Sequence, residues 1–279
     1  DMIVVHLNAN ATVMVASTYI GGSSNDGLNN ENTLQNNYGD TFRGEIILDA
    51  NEHPVVASTT SSTDLPMHGT PFRSSFAGSA EGYIMRYSAL GAPLSSTFLG
   101  TSTYDQCYFV QLDTDDAVYV VGQTDGAYPV SPGRYNVPGS SQFIHKLNNE
   151  LNTSAWSTVF GNGTSGQFLA PTAFLVSNCG QIYFSGWGGA ANELAGIFTS
   201  TTLGLEVSSS AFQTATDGSD LYLMVLDPEA TGLNHATFFG SLTTGEHVDG
   251  GTSRFHKNGT IYQAVCAGCQ GSDDFPTTP

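Results

Sequence analysis

Positive charge is scarce in this sequence: Lys and Arg number 7 against 25 Asp and Glu in 279 residues, a formal net charge of −18. A basic stripe able to displace counterions from a polyphosphate cannot be built from so few cations, which excludes nucleic acid as a partner class. An anionic membrane surface is disfavoured for the same reason. Long apolar runs are also missing. The longest is Leu221–Leu226, far below the roughly 20 residues a membrane-spanning helix needs. The opening residues Asp1-Met2-Ile3-Val4-Val5 lack the basic n-region and cleavage site of a signal peptide. They read as the interior of a strand, so the expectation is a chain that begins inside a longer polypeptide. No segment has a convincing 3.6-residue period, which argues against helices as the main element.

The 11% of charged residues is about half the usual share. Gly, Ser, Thr and Asn take the place of the missing charge, so solubility rests on hydroxyls and amides. A hydrophobic fraction of 39% with 16 Phe and 12 Tyr is enough for a buried core and argues against disorder.

Internal repetition is the main signal. Ser17-Thr18-Tyr19-Ile20-Gly21, Ser96-Thr97-Phe98-Leu99-Gly100, Ser157-Thr158-Val159-Phe160-Gly161 and Ala236-Thr237-Phe238-Phe239-Gly240 share one pattern, and their threonines step by 79, 61 and 79 residues. A second series places a polar turn before a β-branched or aromatic strand: Asp49–Glu52 before Val55–Ser58, Asp113–Asp116 before Val118–Gly122, Ser177–Gly180 before Ile182–Gly186, and His256–Gly259 before Ile261–Ala264. A third series is Met2–Leu7, Tyr83–Tyr87, Phe143–Leu147 and Leu221–Leu226. Apolar segments Glu45–Leu48, Tyr108–Leu112 and Thr172–Val176 precede the turns. Short runs bounded by turn residues are strands. Four of them recurring every 60 to 80 residues predict an all-β chain, a β-propeller of four-stranded antiparallel blades holding about four blades' worth of strands. A β-sandwich explains the short strands but not the four-beat repeat.

The phrases Ser17-Thr18-Tyr19-Ile20-Gly21-Gly22, Phe143-Ile144-His145-Lys146-Leu147-Asn148, Ser185-Gly186-Trp187-Gly188-Gly189 and Asp274-Phe275-Pro276-Thr277-Thr278-Pro279 resemble the SBBP-type β-propeller repeats of large secreted proteins of Bacteroidetes. Those proteins are often gliding-motility-associated or type IX secretion substrates. The resemblance covers essentially the whole chain, so 1–279 is expected to be a single propeller region that starts and ends in mid-blade. It implies a module of a long extracellular or cell-surface protein, with the secretion route inferred from family company. The strand count allows two arrangements. The terminal halves combine into one blade and close a four-bladed ring, or the chain is an excerpt of a larger propeller, which the repeat number usual in the family favours.

Segments 21–43 and 188–212 are insertions on connections after a fourth and a second strand, which strand alternation puts on one face. That face is the expected recognition surface. Its candidate contacts are Tyr38, Tyr104, Tyr128, Trp187 and Phe198, aromatic plates suited to a surface glycan, a protein partner or outer-membrane secretion components. For Trp187, flanked by Gly186 and Gly188, the first reading is packing between blades.

Catalytic signals are weak. The seven histidines follow no metal-ligand spacing, and no nucleophile elbow, phosphate loop or dinucleotide fingerprint is present. A propeller glycosidase would draw its two carboxylates from loop residues Asp26, Asp40, Asp64, Asp105, Asp125, Asp217 and Asp273, although turn aspartates usually cap backbone N–H groups. The trio Asp113, Asp115 and Asp116 reads as a turn and not a calcium loop, since the ordered ligand spacing is absent. No metal and no cofactor are expected. Cys107 and Cys179 fall on opposite faces of the repeat and are not expected to pair. Cys266 and Cys269 are the disulfide candidates, as a local bridge or through Cys269 to a cysteine elsewhere. The function expected is a non-catalytic adhesion or display scaffold, with a secreted carbohydrate-active enzyme as the competing class.

Overall fold

The computed structural model of the chain describes residues 1–29, 40–166, 169–189, 200–248, 253–267 and 274–278. Tyr38, Phe198, Cys269 and Asp273 lie outside the described residues, as do residues 30–39 and 190–199 of the two insertions. Sixteen strands are described, with one short 3-10 turn at Asp40–Phe42 and no α-helix among the described residues. In chain order they are β1 (Met2–Leu7), β2 (Met14–Ile20), β3 (Glu45–Leu48), β4 (Pro54–Thr60), β5 (Glu81–Tyr87), β6 (Pro93–Leu99), β7 (Asp105–Leu112) and β8 (Val118–Thr124). The second half holds β9 (Gln142–Leu147), β10 (Ser154–Phe160), β11 (Ala170–Val176), β12 (Ile182–Trp187), β13 (Leu221–Leu226), β14 (Leu233–Phe239), β15 (Ser253–Phe255) and β16 (Ile261–Gln263).

These strands form three four-stranded sheets, β3-β4-β5-β6, β7-β8-β9-β10 and β11-β12-β13-β14, each in sequence order, and two two-stranded sheets, β1-β2 and β15-β16. The sheets are antiparallel meanders wherever the register is resolved. The all-β expectation and the two-four-four-four-two grouping of strands therefore hold.

The repetition extends to irregularities that the sequence pattern does not display. A β-bulge leaves Val15, Leu94 and Asn234 without a cross-strand partner. Each lies three residues before the repeat threonine, Thr18, Thr97 or Thr237. A second bulge skips Tyr108 in β7 and Thr172 in β11, each four residues before its strand ends. Strands β7 and β11 accordingly begin earlier than the apolar runs imply, and Cys107 lies inside β7 instead of preceding it. Bulges increase local twist and re-aim side chains, so their repetition marks the sheets as copies of one unit.

The hairpin turns repeat in the same way. Glu52, Asp116, Gly180 and Gly259 hold φ of 61°, 58°, 80° and 90°. Each donates its backbone N–H to the carbonyl three residues back, at Asp49, Asp113, Ser177 and His256 respectively. In the other hairpin family Ala11, Leu151 and Ala230 hold φ of 53°, 58° and 51° and bond in the same way to Asn8, Asn148 and Asp227. A side-chain oxygen at the first turn position completes most of these turns. Asp49 Oδ1 accepts from the N–H groups of Asn51 and His53, both at 2.8 Å. Asn148 Oδ1 accepts from those of Asn152 and Thr153, both at 3.0 Å.

The chain divides into two compact units, Asp1–Asn29, Phe42–Tyr128 and Ile144–Trp156 in the first, and Asn30–Thr41, Pro129–Phe143 and Ser157–Pro279 in the second. Within the first, a core of Ile20, Val56, Leu65, Tyr83, Met85, Tyr87 and Phe98 takes in Met2 and Val4 of β1. Strand β7 packs across β3, β4 and β5 there. Gly82 makes that approach possible, because a Cβ on it would run into Cys107 Sγ. An ion pair joins Arg86 to Asp49, both nearly inaccessible to solvent. The repeat-equivalent pair is Lys146 with Asp113, at 3.2 Å. Within the second unit, Ala170, Trp187, Leu221 and Val248 form a core with Phe239 and Val265 packed against it.

Glu52 is an exposed non-glycine residue in the left-handed region, where the repeat-equivalent residues are Gly180 and Gly259. Substituting Glu52→Gly should stabilise the protein by about 0.5–1 kcal/mol, because the steric cost of a Cβ at positive φ exceeds the entropy that glycine adds to the unfolded chain. Urea unfolding of the variant beside the wild type checks it, and an equal or larger loss of stability would show that Glu52 is not strained.

Candidate functional site

Three of the aromatic residues expected on a recognition face are interior. Trp187 is fully buried at the end of β12. It packs against Ala170, Leu221 and Val248 and meets the His247 ring edge-on at 5.1 Å. Its small neighbours admit it: a Cβ on Gly186 would stand 3.0 Å from the Ala170 carbonyl and 3.1 Å from Leu169 Cβ. The packing reading of Trp187 is therefore the one the structure supports, and truncation of such a side chain costs about 3–5 kcal/mol. Tyr104 and Tyr128 are both 7% exposed. Neither offers a ring face to a ligand, because both side chains are buried. Tyr38 and Phe198 remain outside the described residues.

Tyr128 is part of a polar network that sequence reasoning missed. Its hydroxyl bonds to His145 Nδ1 at 2.8 Å, and His145 Nε2 bonds to Ser154 Oγ at 2.8 Å. Phe72 and Tyr128 both lie edge-on to the imidazole. Burial pushes His145 down to about 4, so the ring is neutral at physiological pH. A serine beside an imidazole is the start of a nucleophilic site, but here a phenol stands where a carboxylate would stabilise the imidazolium. The network suits the holding of an interior together.

Three of the loop carboxylates, Asp26, Asp105 and Glu246, turn inward, whereas Asp64, Asp125, Asp217 and Asp274 are exposed. Asp26 accepts from the Gly22 N–H at 2.9 Å and from the hydroxyls of Thr60 and Ser62 at 2.5 and 3.1 Å. Asp105 accepts from the Thr101 N–H at 2.6 Å and its hydroxyl at 3.0 Å. Glu246 accepts from the Ser241 N–H at 3.0 Å. These three occupy the same place after a fourth strand, and each closes the loop that leaves that strand. A second series caps the same loops from the far side. Asp64 takes the Ser23 N–H and hydroxyl at 2.9 and 3.1 Å, and Asp274 takes the hydroxyls of Ser241 and Thr243 at 2.6 and 2.5 Å. Asp217 accepts from the Ser219 N–H at 2.8 Å, and the backbone N–H of Asp125 bonds to the Tyr104 carbonyl at 2.9 Å. Asp113 Oδ1 takes the N–H groups of Asp115 and Ala117, both at 3.0 Å. Among the described residues no cluster of three or more His, Cys, Asp or Glu side chains is arranged to hold a metal ion.

The open feature is in the first unit. Strand β1 pairs only with β2, and β3 only with β4, among the described strands. Alternation along β1 sends Met2 and Val4 into the core and leaves Ile3 57% and Val5 46% exposed. On β3, Ile46 and Leu48 are 51% and 57% exposed, and Phe42 beside it is 77% exposed. Residues of β1, β3 and β4 line a groove of about 390 Å³ whose walls include Ile3, Val5, Phe42, Ile46 and Val56. Its polar members are Ser58 and Glu45, whose Oε2 accepts from the Val110 N–H at 2.7 Å. Burial pushes the Glu45 carboxyl up to about 7. An exposed strand edge beside an apolar groove can take an extended segment by strand addition. The β-alternation of Met2–Leu7 was legible in the sequence, but the exposure of its outward residues was not.

The thiols are placed differently from one another. Cys107 is fully buried and its thiol is pushed well up by burial. Cys179 is exposed in the β11–β12 turn and held below its usual range by the Ser177 hydroxyl, 3.2 Å from Sγ, and by the Gln181 N–H. Cys107 and Cys179 are not joined to each other. Cys266 is not in a second strand. That strand ends at Gln263, and Cys266 forms an isolated bridge to His247 with backbone bonds of 2.9 and 3.1 Å.

Comparison of the chain with models of protein families and with curated protein sequences finds no match.

Thiol reactivity follows from these placements. In native protein an aromatic disulfide reagent should modify Cys179 rapidly and Cys107 only after unfolding. Peptide mapping checks it, and native labelling of Cys107 at a rate close to that of Cys179 would contradict the packing of β7 on β4 and β5.

Proposed function

We propose that the chain is a propeller module of a secreted bacterial cell-surface protein, acting as a non-catalytic scaffold for adhesion or display. The observation that carries this reading is the recurrence of one four-stranded meander in fixed order, with bulges, left-handed turn residues and loop-capping carboxylates at equivalent positions. Radial repetition of such meanders is how a propeller is built. In this arrangement β1–β2 contributes a third and fourth strand and β15–β16 a first and second, one blade's worth between them. The resemblance of the repeat phrases to SBBP-type propellers supports export to the surface, by the type IX route, and a part in attachment or gliding. The use of Asp26, Asp105 and Glu246 as buried loop caps supports a scaffold over a glycosidase, which needs two carboxylates facing each other across an open cleft. The apolar groove beside β1 favours a protein segment as partner over a sugar.

Binding and turnover separate the classes. Purified protein, immobilised and exposed to intact bacterial cells and to soluble polysaccharides, should retain cells or polymer and release no reducing ends. Release of reducing sugar at a rate that scales with protein concentration would overturn the scaffold reading and favour the carbohydrate-active one.

A further inference from the structure

Glu246 and Asp220 are both wholly inaccessible to solvent, and neither has a cationic partner among the described residues. Glu246 Oε1 accepts from Ser241, and Asp220 Oδ1 accepts from Gln213 Nε2 at 3.3 Å. Glu246 Oε2 and Asp220 Oδ2 have no hydrogen-bond partner. Glu246 Oε2 and Asp220 Oδ1 crowd the one point where a Cβ on Gly240 would stand. The two carboxyl groups therefore face each other over Gly240.

The equivalent place in the first unit shows what is missing. There Glu81 begins the third strand as Asp220 precedes one, and Asp105 closes the loop after the fourth strand as Glu246 does. Between them lies Arg73, whose N–H donates to Thr97 Oγ1 at 2.9 Å as the N–H of Gln213 donates to Thr237 Oγ1 at 3.0 Å. The Arg73 guanidinium pairs with Glu81 and bonds to the Gly100 carbonyl, and its charge opposes the rise that burial imposes on both Glu81 and Asp105. The second unit keeps both acids and replaces the guanidinium with the neutral amide of Gln213. Two ionised carboxylates at such a site repel each other without screening by water. A metal ion is not the remedy the geometry offers, since no three-ligand cluster exists among the described residues.

We infer that Asp220 and Glu246 hold a single proton between them, which makes the connection leaving β14 a proton-dependent clamp. The proton bonded to one carboxyl oxygen is donated to the other, so one negative charge remains and Glu246 Oε2 gains the partner it lacks. Other groups around the pair strengthen the need. Asp217 and Asp274 add negative charge, and His247 is turned to Trp187. Burial, with these neighbours, pushes Glu246 up to about 7 from 4.5, and burial raises Asp220 also. The sign follows from linkage. Between about 4.5 and 7 the native state binds more protons than the unfolded chain, so this pair's contribution to stability is lost as pH rises through that window. His145 acts in the opposite sense, since burial lowers it and its cost is felt as pH falls, so the wild-type profile alone does not isolate the pair.

The test is the thermal midpoint of the full chain and of Glu246→Gln between about pH 5 and pH 8. The glutamine keeps the shape, accepts from Ser241 and donates permanently to Asp220. The expected result is a variant close to wild type at the acid end and increasingly more stable than wild type toward the alkaline end. Gln213→Arg, which restores the cation of the first unit, should produce the same divergence. A difference between variant and wild type that stays constant with pH, for both substitutions, would overturn the shared proton. A wild-type midpoint at the alkaline end that calcium raises, with no such rise in Glu246→Gln, would also overturn it by assigning the site to a metal.

Discussion

A hairpin turn of this protein has to place one residue at positive φ and find acceptors for several backbone N–H groups within five positions, and a short polar side chain at the first position does most of that work. Asp49, Asp113, Asn148 and Asp227 each take two turn N–H groups on one oxygen. Asn8 does the same with Thr12 and Val13. These turns fix strand length and hence register, and register decides which residues of every strand are buried. Sheet composition follows from them. The bulges at Val15, Leu94 and Asn234 lie just past the same turns and let the fourth strands resume their pairing.

Scarcity of cations shapes the rest. With seven Lys and Arg for 25 acids, most carboxylates have no ion-pair partner and instead accept N–H and O–H bonds, a satisfactory solution because a carboxylate accepts several at once. Cations appear where a base on a third strand reaches the first residue of a hairpin turn, as in Arg86 with Asp49 and Lys146 with Asp113, or where a loop buries an acid, as in Arg73 with Glu81. The second unit lacks that last cation, and its acidic pair is left to a proton. Repeats of one unit thus differ chiefly in how buried negative charge is compensated.

The strands were legible because apolar runs bounded by Asp, Asn and Gly have one physical reading, and the fixed order of Thr18, Thr97, Thr158 and Thr237 gave their grouping. The beginnings of β7 and β11 were not legible, since the bulges at Tyr108 and Thr172 interrupt the alternation that marks a strand. The fate of Tyr104 and Tyr128 was not legible either. Aromatic residues in connections look alike whether they are exposed or buried, and the loops after the fourth strands are closed by the cap acceptors Asp26, Asp105 and Glu246. A signal for this capping was present in the recurrence of an acid at one place after three of the four fourth strands, where catalysis would ask for one pair and not a series. The Tyr128–His145–Ser154 network joins residues with no common motif, and sequence spacing carries no trace of it.

The dependence of the sheets on their turn caps is tested most directly by urea unfolding of Asn148→Ala. Asn148 is half-buried, its amide oxygen holds the Asn152 and Thr153 N–H groups at 3.0 Å, and its amide nitrogen donates to Glu150 and Asn152 at 3.0 and 2.8 Å. Loss of the two N–H caps, with the exposed amide bonds to Glu150 and Asn152 replaced by water, should lower stability by about 1–2 kcal/mol, with the midpoint shifted and the slope unchanged. A variant within about 0.3 kcal/mol of wild type would contradict the account, because the turn would then close without its cap.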